Sequence, residues 1–344
     1  MQEKKTSDYI YNELTKAGYS PVRVGETGIY ADLCTDPGLP WLLFRADMDA
    51  LPVTEETDLP FVSETKGMMH ACGHDTHTAM LLTAAVLLKD KKLPQNIRFI
   101  FQPGEEITAG AKVMIDGGAI HPNTVAAFGF HVWPKVPKGK IVAKTGALMA
   151  SSTRIQINCM GKNAHCSKRQ EGADALLTAA RIATRFHEAE AMAGNDGTVL
   201  FCGKLQSGTA HNIVSAEAEM MGTLRSYSEQ SRERVLQKLE EIVEESAAEY
   251  GCQATLSAFS YNPAVINHAE LADKVQQLLP EAICDFDPSL ASEDFSRYQH
   301  EVPGVFLWLG VGDTAALHNG KFVVPDEVLP IGVDGWLRLA NHKW

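Results

Sequence analysis

Metal-binding side chains are concentrated in one short segment of the chain, MMHACGHDTHTAM at residues 68–80. The segment holds three histidines, one cysteine and one aspartate. Imidazole, thiolate and carboxylate groups are the usual protein ligands of divalent transition metals. Cys72 and His74 flank Gly73, whose backbone can bend freely enough to aim both side chains at one centre. The segment therefore indicates a metal site.

Further ligand-type residues follow segments that are predicted to be buried strands. The segments are residues 41–52, 96–106, 124–134 and 304–313, and the residues at or after their ends are Asp47, Asp49, Glu105, Glu106, His131 and His318. With Cys72 and His74, the two later histidines and one glutamate of the pair would supply five ligands. One cation rarely uses five if a water must also bind, whereas two cations that share a ligand would use all five. Of two adjacent glutamates, one can bind a cation while the other acts as a general base.

Alternating strands and helices would position these residues. A helical pattern follows Asp75, its predicted N-cap, and a shorter one closes on Gly117 and Gly118. The alternation predicts an α/β fold with a doubly wound, mostly parallel sheet. Ligands bind beyond the carboxyl ends of the strands in such sheets. The candidate ligands follow those ends, so we expect folding to gather them in one crevice.

The middle of the chain has a different pattern. Its predicted elements follow the order βαββαβ, which is that of a ferredoxin-like unit. Its long second helix has Ser228 as the predicted N-cap and ends at Gly251. We expect an inserted domain at residues 150–261, within a discontinuous catalytic domain made of residues 1–149 and 262–344.

Composition argues against several classes of protein. The 344 residues are enough for two cores, and the net charge of −12 argues against binding to nucleic acid or to an anionic membrane surface. The N-terminus lacks the apolar core of a signal peptide, and no window approaches the roughly 20 apolar residues of a membrane span. Seven scattered cysteines predict a cytoplasmic protein with reduced thiols. All but Cys72 are expected to be packing residues: Cys34, Cys159, Cys166, Cys202, Cys252 and Cys284.

Nine short motifs occur in the order seen in the M20 metallopeptidase family. They are RADMDALP, MHACGHDTHTAMLL, FQPGEE, FHVWP, GKNAHCS, HNIV, GTLR, SEDF and LHNGKF. The chain resembles the amidohydrolase branch of this family, which includes aminoacylases, hippurate hydrolases and auxin-conjugate hydrolases. Relatives usually begin with an additional segment that contains an HxxPE pattern. QPGEE stands here for the commoner QPAEE, and we expect this change to affect substrate choice.

The resemblance implies two divalent metal ions. Their implied ligands, with Cys72 as the bridge, are Glu106 and His318 for one ion and His74 and His131 for the other. Glu105 would be the general base and proton shuttle, and Asp49 would orient a ligand from outside the coordination sphere. A thiolate with imidazoles suits zinc, cobalt or nickel, and relatives in this branch often use manganese. We expect manganese or zinc.

The resemblance also implies a substrate site in the inserted domain. His165 would reach the active site of a partner subunit and stabilise the oxyanion there. Asn212 and Arg225 would hold the free carboxylate of the substrate, which suits the forked guanidinium group. The implied assembly is a homodimer formed through the inserted domain, which would also act as a lid.

The predicted function is metal-dependent hydrolysis of the amide bond of N-acyl amino acids, by a metal-activated water with Glu105 as general base. The nearest alternative is a dipeptidase or carboxypeptidase with the same two-metal site. A binding protein on an inactive hydrolase scaffold, and a redox or nucleophilic role for Cys72, are further alternatives. The sequence does not specify the acyl group or the amino-acid side chain.

Simpler interpretations exist for several of these residues. We expect His70 and His77 to form local hydrogen bonds and Asp47 to hold its loop. The Glu105–Glu106 pair could cap the following helix, where acidic groups favour the dipole. His165 could be a loop histidine, and Arg225 could be a solvated edge charge.

Overall fold

The structure is a computed structural model that describes residues 1–283 and 285–344. The prediction for Cys284 therefore lies outside the described residues. The α-helices are α1 (Lys4–Lys16), α2 (His74–Leu88), α3 (Gly110–Asp116), α4 (Ala175–Thr184), α5 (Phe186–Glu190), α6 (Glu229–Glu249), α7 (Ala269–Leu278), α8 (Ser296–Glu301) and α9 (Leu329–Asn341). Short 3₁₀ helices span Cys166–Glu171, Ala191–Ala193 and Asp326–Val328.

The strands alternate with these helices along the chain. They are β1 (Val22–Val24), β2 (Gly28–Leu33), β3 (Trp41–Asp47), β4 (Asn96–Gln102), β5 (Thr124–Pro134), β6 (Ile141–Val142), β7 (Gly146–Met149), β8 (Ser151–Met160), β9 (Ala164–His165), β10 (Val199–Ser207), β11 (Ile213–Val214), β12 (Glu217–Ser226), β13 (Gln253–Asn262), β14 (Val265–Asn267), β15 (Ala282–Ile283) and β16 (Gly304–Gly312).

The chain divides into two compact units. The first consists of Met1–Leu148, Val265–Asp287 and Asp294–Trp344, and the second of Met149–Ala264 and Pro288–Glu293. Each unit has its own cluster of buried apolar residues. The mixed α/β fold with a large, mostly parallel sheet was predicted from the sequence and is confirmed.

The sheet of the first unit has the strand order β1-β2-β4-β3-β5-β16-β6-β15. The four adjacent strands β4, β3, β5 and β16 run parallel to one another. Every residue of β3 and β4 is buried, as expected for strands that are covered on both faces. Because these four strands are parallel neighbours, their carboxyl ends meet at one edge of the sheet.

The edge strands of this sheet were not predicted. β2 pairs antiparallel with β4, and β1 continues the sheet antiparallel to β2. The sequence of β2, GIYADL, is short and mixes polar with apolar residues, so it lacks the apolar run that marks the central strands. The antiparallel edge leaves the parallel centre of the sheet unchanged.

The second unit is built on a four-stranded antiparallel sheet with the order β10-β12-β8-β13. Along the chain its main elements are β8, α4, β10, β12, α6 and β13. Helices α4 and α6 bury Ile182, Val235 and Leu239 in one core with Ile155 and Ile157 of the sheet. Ser228 caps α6 as predicted, by accepting a hydrogen bond from the backbone N–H of Ser231.

Helix α2 begins two residues earlier than predicted, because its N-cap is Gly73 instead of Asp75. Its first residue is His74, and Gly73 before it has a left-handed φ of 85°. Asp75 lies in the first turn instead of at the cap, where its carboxylate still suits the helix dipole. Among the described residues, no helix combines the length and apolar composition that crossing a bilayer requires.

Candidate metal centre

Two overlapping sets of ligand atoms lie at the carboxyl edge of the parallel strands. The atoms of Cys72, His74 and His131 lie within 4.8 Å of one another, and so do those of Cys72, Glu106 and His318. Cys72 belongs to both sets. The five residues that were predicted to be ligands are therefore gathered in one place, around one shared sulfur.

Local backbone geometry brings Cys72 and His318 to this edge. Gly73 has a positive φ, and a Cβ atom at this position would collide with the side chain of Val132. Only glycine allows the turn that separates Cys72 from the first residue of α2. His318 also has a positive φ, of 65°, and its backbone N–H donates to the carbonyl of Ala71 at 2.8 Å. This bond joins the loop after β16 to the cysteine segment.

Hydrogen bonds fix the orientation of the two buried imidazoles. His74 Nδ1 donates to Asp49 Oδ1 at 3.1 Å, and His131 Nδ1 donates to the carbonyl of Val132 at 2.6 Å. Because both partners are acceptors, the proton of each neutral ring lies on Nδ1 and leaves Nε2 as an electron-pair donor. His131 Nε2 lies 3.4 Å from Cys72 Sγ. In its neutral form, each imidazole therefore presents Nε2 to a cation.

Two buried polar atoms at this edge lack a hydrogen-bond partner among the described residues. They are Nε2 of His74 and Oε1 of Glu106, which lie 3.9 Å apart. His318 Nε2 lies 3.3 Å from the same Glu106 oxygen. A buried polar atom without a partner is costly, and a cation would satisfy both atoms at once. The donor set therefore fits two divalent cations that share Cys72.

The pKa values of these groups in the absence of a cation also indicate a metal site. Burial raises the pKa of the Cys72 thiol to about 12. Burial also holds the pKa of His131 well below its ordinary value, and neighbouring imidazoles add to that effect. Burial acts to lower the pKa of His74 too, but the carboxylate of Asp47 and the other acceptors around it raise it well above its ordinary value. A thiolate at this buried position therefore requires nearby positive charge.

Asp49 forms hydrogen bonds with two of the candidate ligand residues, His74 and Glu106. Its Oδ1 accepts from His74, and its Oδ2 accepts from the backbone N–H of Glu106 at 3.0 Å. One carboxylate thus ties a helix residue to the loop that follows β4. Burial acts to raise the pKa of Asp49, but these bonds outweigh it and the pKa is lowered. The carboxylate is therefore ionised and can orient the imidazole of His74.

Glu105 lies next to the ligands and is buried. Its ligand atom, with those of His74 and Glu106, forms a group in which all atoms lie within 4.8 Å of one another. Its Oε1 accepts from the backbone N–H of Asp294 at 3.3 Å. A carboxylate in this position is within reach of a water molecule at the ligand atoms, as a general base must be.

The other two histidines of the segment form hydrogen bonds within the protein, but their partners are distant in sequence instead of local as expected. His77 Nδ1 donates to Asp47 Oδ1 at 2.6 Å, and His77 Nε2 accepts from the backbone N–H of Val132 at 2.8 Å. Both ring nitrogens of His77 are therefore used within the protein. His70 Nδ1 lies 3.0 Å from the carbonyl oxygen of Asp49.

One group of residues at this edge was missed by the sequence analysis. Arg45, Gln102 and Asp294 are buried behind Asp47 and Glu105 and are joined by hydrogen bonds. The signal in the sequence was an arginine that follows the apolar run WLLF inside the strand WLLFRAD. A charged residue in a fully buried strand needs a partner, and residue spacing does not show which residue that partner is.

The predicted substrate-binding residues lie in the second unit. His165 is exposed on β9, and its Nδ1 lies 2.8 Å from the hydroxyl of Ser167. The backbone carbonyl of Asn212, just before β11, accepts from the N–H of Cys166 at 3.0 Å, so this residue and His165 lie on paired segments. Arg225 is half-buried on β12, and burial lowers its pKa.

Known proteins resemble the chain over almost its whole length. The model of peptidase family M20/M25/M40 matches residues 43–342. An N-acetylcysteine deacetylase of Bacillus subtilis is 35% identical over 92% of this chain and 84% of its own length. Thermostable carboxypeptidase 1 of Saccharolobus solfataricus is 37% identical, over 86% of this chain and 79% of its own.

A solved structure agrees with these relatives. The crystal structure of a dinuclear metal-binding peptidase of the M20 family from Bacillus subtilis superposes with a TM-score of 0.87 at 33% identity. The superposition covers 99% of this chain and 92% of that one. The extent of the match and the identity of these relatives lead to one conclusion: the chain belongs to peptidase family M20/M25/M40.

Proposed function

We propose that the protein is a metal-dependent amidohydrolase that cleaves the amide bond of N-acyl amino acids. The observation that carries this proposal is the pair of ligand sets that share Cys72, with Glu105 beside them. The similarity to an N-acetylcysteine deacetylase supports an acylated amino acid as the substrate. The products are a free amino acid and a carboxylic acid.

Two divalent cations, manganese or zinc, with cobalt and nickel as further candidates, would be held by the two sets. When bound, they activate a water molecule and polarise the amide carbonyl. Cys72 is the shared ligand, His74 and His131 complete one set, and Glu106 and His318 complete the other. Asp49 accepts from His74 Nδ1 and so keeps the electron pair of Nε2 available to a cation.

Glu105 moves the proton in this mechanism. It takes a proton from the attacking water and delivers it to the nitrogen of the departing amine. Its closeness to the ligand atoms of His74 and Glu106 supports this role. The buried position excludes bulk water, so the proton stays within reach until the amide bond breaks.

The inserted domain, residues 150–261, holds the substrate in this proposal, and residues 1–149 and 262–344 form the catalytic domain. The strand order β10-β12-β8-β13 supports a ferredoxin-like fold for the insert. Asn212 and Arg225 bind the free carboxylate, and His165 stabilises the oxyanion from the partner subunit of a homodimer. The pairing of β9 with β11 supports a shared site for His165 and Asn212.

A cytoplasmic location is part of the proposal. The six described cysteines are free thiols, which supports a reducing compartment. The substrate is a small molecule, and the net charge of −12 supports the expectation that neither nucleic acid nor an anionic membrane is a partner.

A turnover screen tests the proposed function. Chelator-treated protein is reloaded with manganese, zinc, cobalt or nickel and supplied with N-acetyl amino acids, dipeptides and longer peptides, and the released amino acids are quantified. We expect hydrolysis of N-acetyl amino acids that depends on added metal. Turnover of peptides alone would establish the dipeptidase or carboxypeptidase alternative, which the carboxypeptidase relative favours.

A further inference from the structure

Arg45 is a fully buried arginine in the middle of the parallel sheet. Its side chain is 0% exposed, on a strand whose every residue is buried. A buried charge is costly unless its partners are placed accurately, so its retention calls for a reason. The partners of Arg45 described below, Asp47, Gln102 and Asp294, are not among the candidate metal ligands.

The guanidinium of Arg45 joins three elements of the first unit. Nη1 donates to Asp47 Oδ2 at 2.8 Å, Nη2 to Asp294 Oδ1 at 2.8 Å, and Nε to Gln102 Oε1 at 2.9 Å. Gln102 Nε2 also donates to Asp294 Oδ1 at 2.8 Å. The end of β3, the end of β4 and the segment before α8 are thus bonded to one rigid, planar group.

One series of hydrogen bonds from Arg45 leads through Asp294 to Glu105. The backbone N–H of Asp294 donates to Glu105 Oε1 at 3.3 Å. Asp294 Oδ2 accepts from the backbone N–H of Ala111 at 2.9 Å. Gln102 and Ala111 lie on either side of the loop that carries Glu105, and both are bonded to Asp294. The position of the Glu105 carboxylate is therefore set through Asp294.

A second series of hydrogen bonds leads from Arg45 through Asp47 to His131. Asp47 Oδ1 accepts from His77, His77 Nε2 accepts from the backbone N–H of Val132, and the carbonyl of Val132 accepts from His131. The chain of bonds ends at the imidazole whose Nε2 lies 3.4 Å from Cys72 Sγ. Both series of hydrogen bonds start at the guanidinium of Arg45.

We propose that Arg45 is a positioning residue that fixes the separation between the Glu105 carboxylate and the His131 ligand. The inference rests on the proposed function for the roles of those two residues. Lysine cannot replace Arg45, because a single ammonium group lacks the planar fork that reaches three acceptors on different elements. Arg45 touches no reacting atom and acts through Asp294 and Asp47.

A second arginine of the same sheet provides a matched control. Arg98 of β4 is buried, and its Nε and Nη2 donate to the two carboxylate oxygens of Asp32 at 2.7 Å each. Its side chain also donates to the carbonyls of Gly118 and Ala119, and none of these partners is a candidate site residue. Arg45→Lys and Arg98→Lys thus make the same chemical change in the same sheet.

The experiment compares these two variants with wild-type protein after metal loading. For Arg45→Lys we expect kcat to fall about 100-fold, as for a misplacement of about 1 Å, with KM within about threefold of wild type. For Arg98→Lys we expect wild-type kcat. The absorption spectrum of the Co²⁺-substituted protein, which reports ligand geometry without substrate, should change in Arg45→Lys and stay unchanged in Arg98→Lys.

Each result decides the inference. Wild-type kcat with an unchanged Co²⁺ spectrum in Arg45→Lys would overturn it, and so would equal losses in both variants. If Arg45→Lys does not fold, Gln102→Met removes one bond to Arg45 and one to Asp294, and a kcat loss smaller than 100-fold but above threefold supports the inference, whereas wild-type kcat overturns it. If wild-type protein hydrolyses no N-acyl amino acid, the proposed function fails, and the Co²⁺ spectra still decide the role of Arg45.

Discussion

Cys72 in the first unit and Cys159 in the second are both buried, and their surroundings differ. Burial raises the pKa of Cys72 to about 12 and that of Cys159 to about 11. Cys72 faces the imidazole of His131. Cys159 lies on β8 between Ala218 and Ala254 of the neighbouring strands, in the apolar core of its unit.

The difference shows which property identifies a metal site. Burial and a raised thiol pKa are common to both cysteines, so neither property separates a ligand from a packing residue. What separates them is the presence around Cys72 of electron-pair donors whose other atoms are already hydrogen-bonded, as in His74 and His131.

The largest effect is expected from removing the sulfur of Cys72, and removal of the sulfur of Cys159 is the comparison. Cys72→Ala should lower turnover by on the order of 10⁴-fold or more, because Cys72 is the proposed shared ligand of both cations and its loss would remove their several kcal/mol of stabilisation. Cys159→Ala should keep wild-type turnover and lose about 1–2 kcal/mol of unfolding free energy. Mass spectrometry measures metal content, kinetics measures turnover, and urea unfolding measures the unfolding free energy.

Two results would contradict this comparison. One is full metal content in Cys72→Ala, which would show that the sulfur is not a required ligand. The other is loss of turnover in a folded Cys159→Ala protein, which would show that burial in the second unit is coupled to the chemistry.

Glu105→Gln separates the base from the ligands within the same crevice. We expect a loss of about 10³-fold in kcat, since general acid–base catalysis typically contributes 10²–10⁴-fold. Metal content and thermal stability should stay at wild-type values, because the amide keeps the shape of the side chain. Near-normal turnover would remove Glu105 from the mechanism, and loss of metal would make it a ligand instead.

Two aspartates extend the comparison to supporting residues. Asp49 holds His74, whereas Asp174 in the second unit caps α4 by accepting from the backbone N–H groups of Leu176 and Leu177. Asp49→Ala should weaken metal binding about 10–100-fold. Asp174→Ala should cost about 1 kcal/mol of stability and leave metal affinity unchanged. Titration with a competing chelator measures the affinities, and equal affinities in both variants would refute the role of Asp49.

Much of the first unit could be predicted from the sequence, for a physical reason. Strands buried on both faces are continuous apolar runs, so β3, β4, β5 and β16 are visible without a structure. Parallel neighbours bring their carboxyl ends to one edge, so residues that follow these runs were expected to meet. The assignment of each residue to one cation came from the family resemblance and stays a proposal.

The supporting network could not be predicted in the same way. Arg45 and Asp294 are 249 residues apart, and no periodicity links them. Strand β2 was missed because its short, mixed sequence carries no clear alternation. Spacing shows which residues follow a strand, but hydrogen bonds such as those that link His77 with Asp47 and Val132 depend on the packing of the folded chain.

The smallest expected effect concerns His318 and depends on pH. Its pKa is raised above 6.5 by the Glu106 carboxylate, whose Oε1 lies 3.3 Å from His318 Nε2, against the opposing effect of partial burial. In metal-free protein the pair therefore stabilises the fold fully below the unfolded pKa, and the contribution is lost as the pH rises through the folded pKa. Because the His318 side chain is 54% exposed, screening keeps the effect below about 1 kcal/mol.

Metal should reverse this dependence. A cation at Nε2 competes with the proton, so the stability that excess metal adds should grow with rising pH. Urea unfolding of wild type and His318→Ala at about pH 5.5 and about pH 8.5 tests both signs, since these values bracket the ordinary histidine pKa. Without metal, the difference between the two proteins should be larger at the lower pH. With metal it should be larger at the higher pH, and the same sign in both conditions would show that the proton and the cation do not share Nε2.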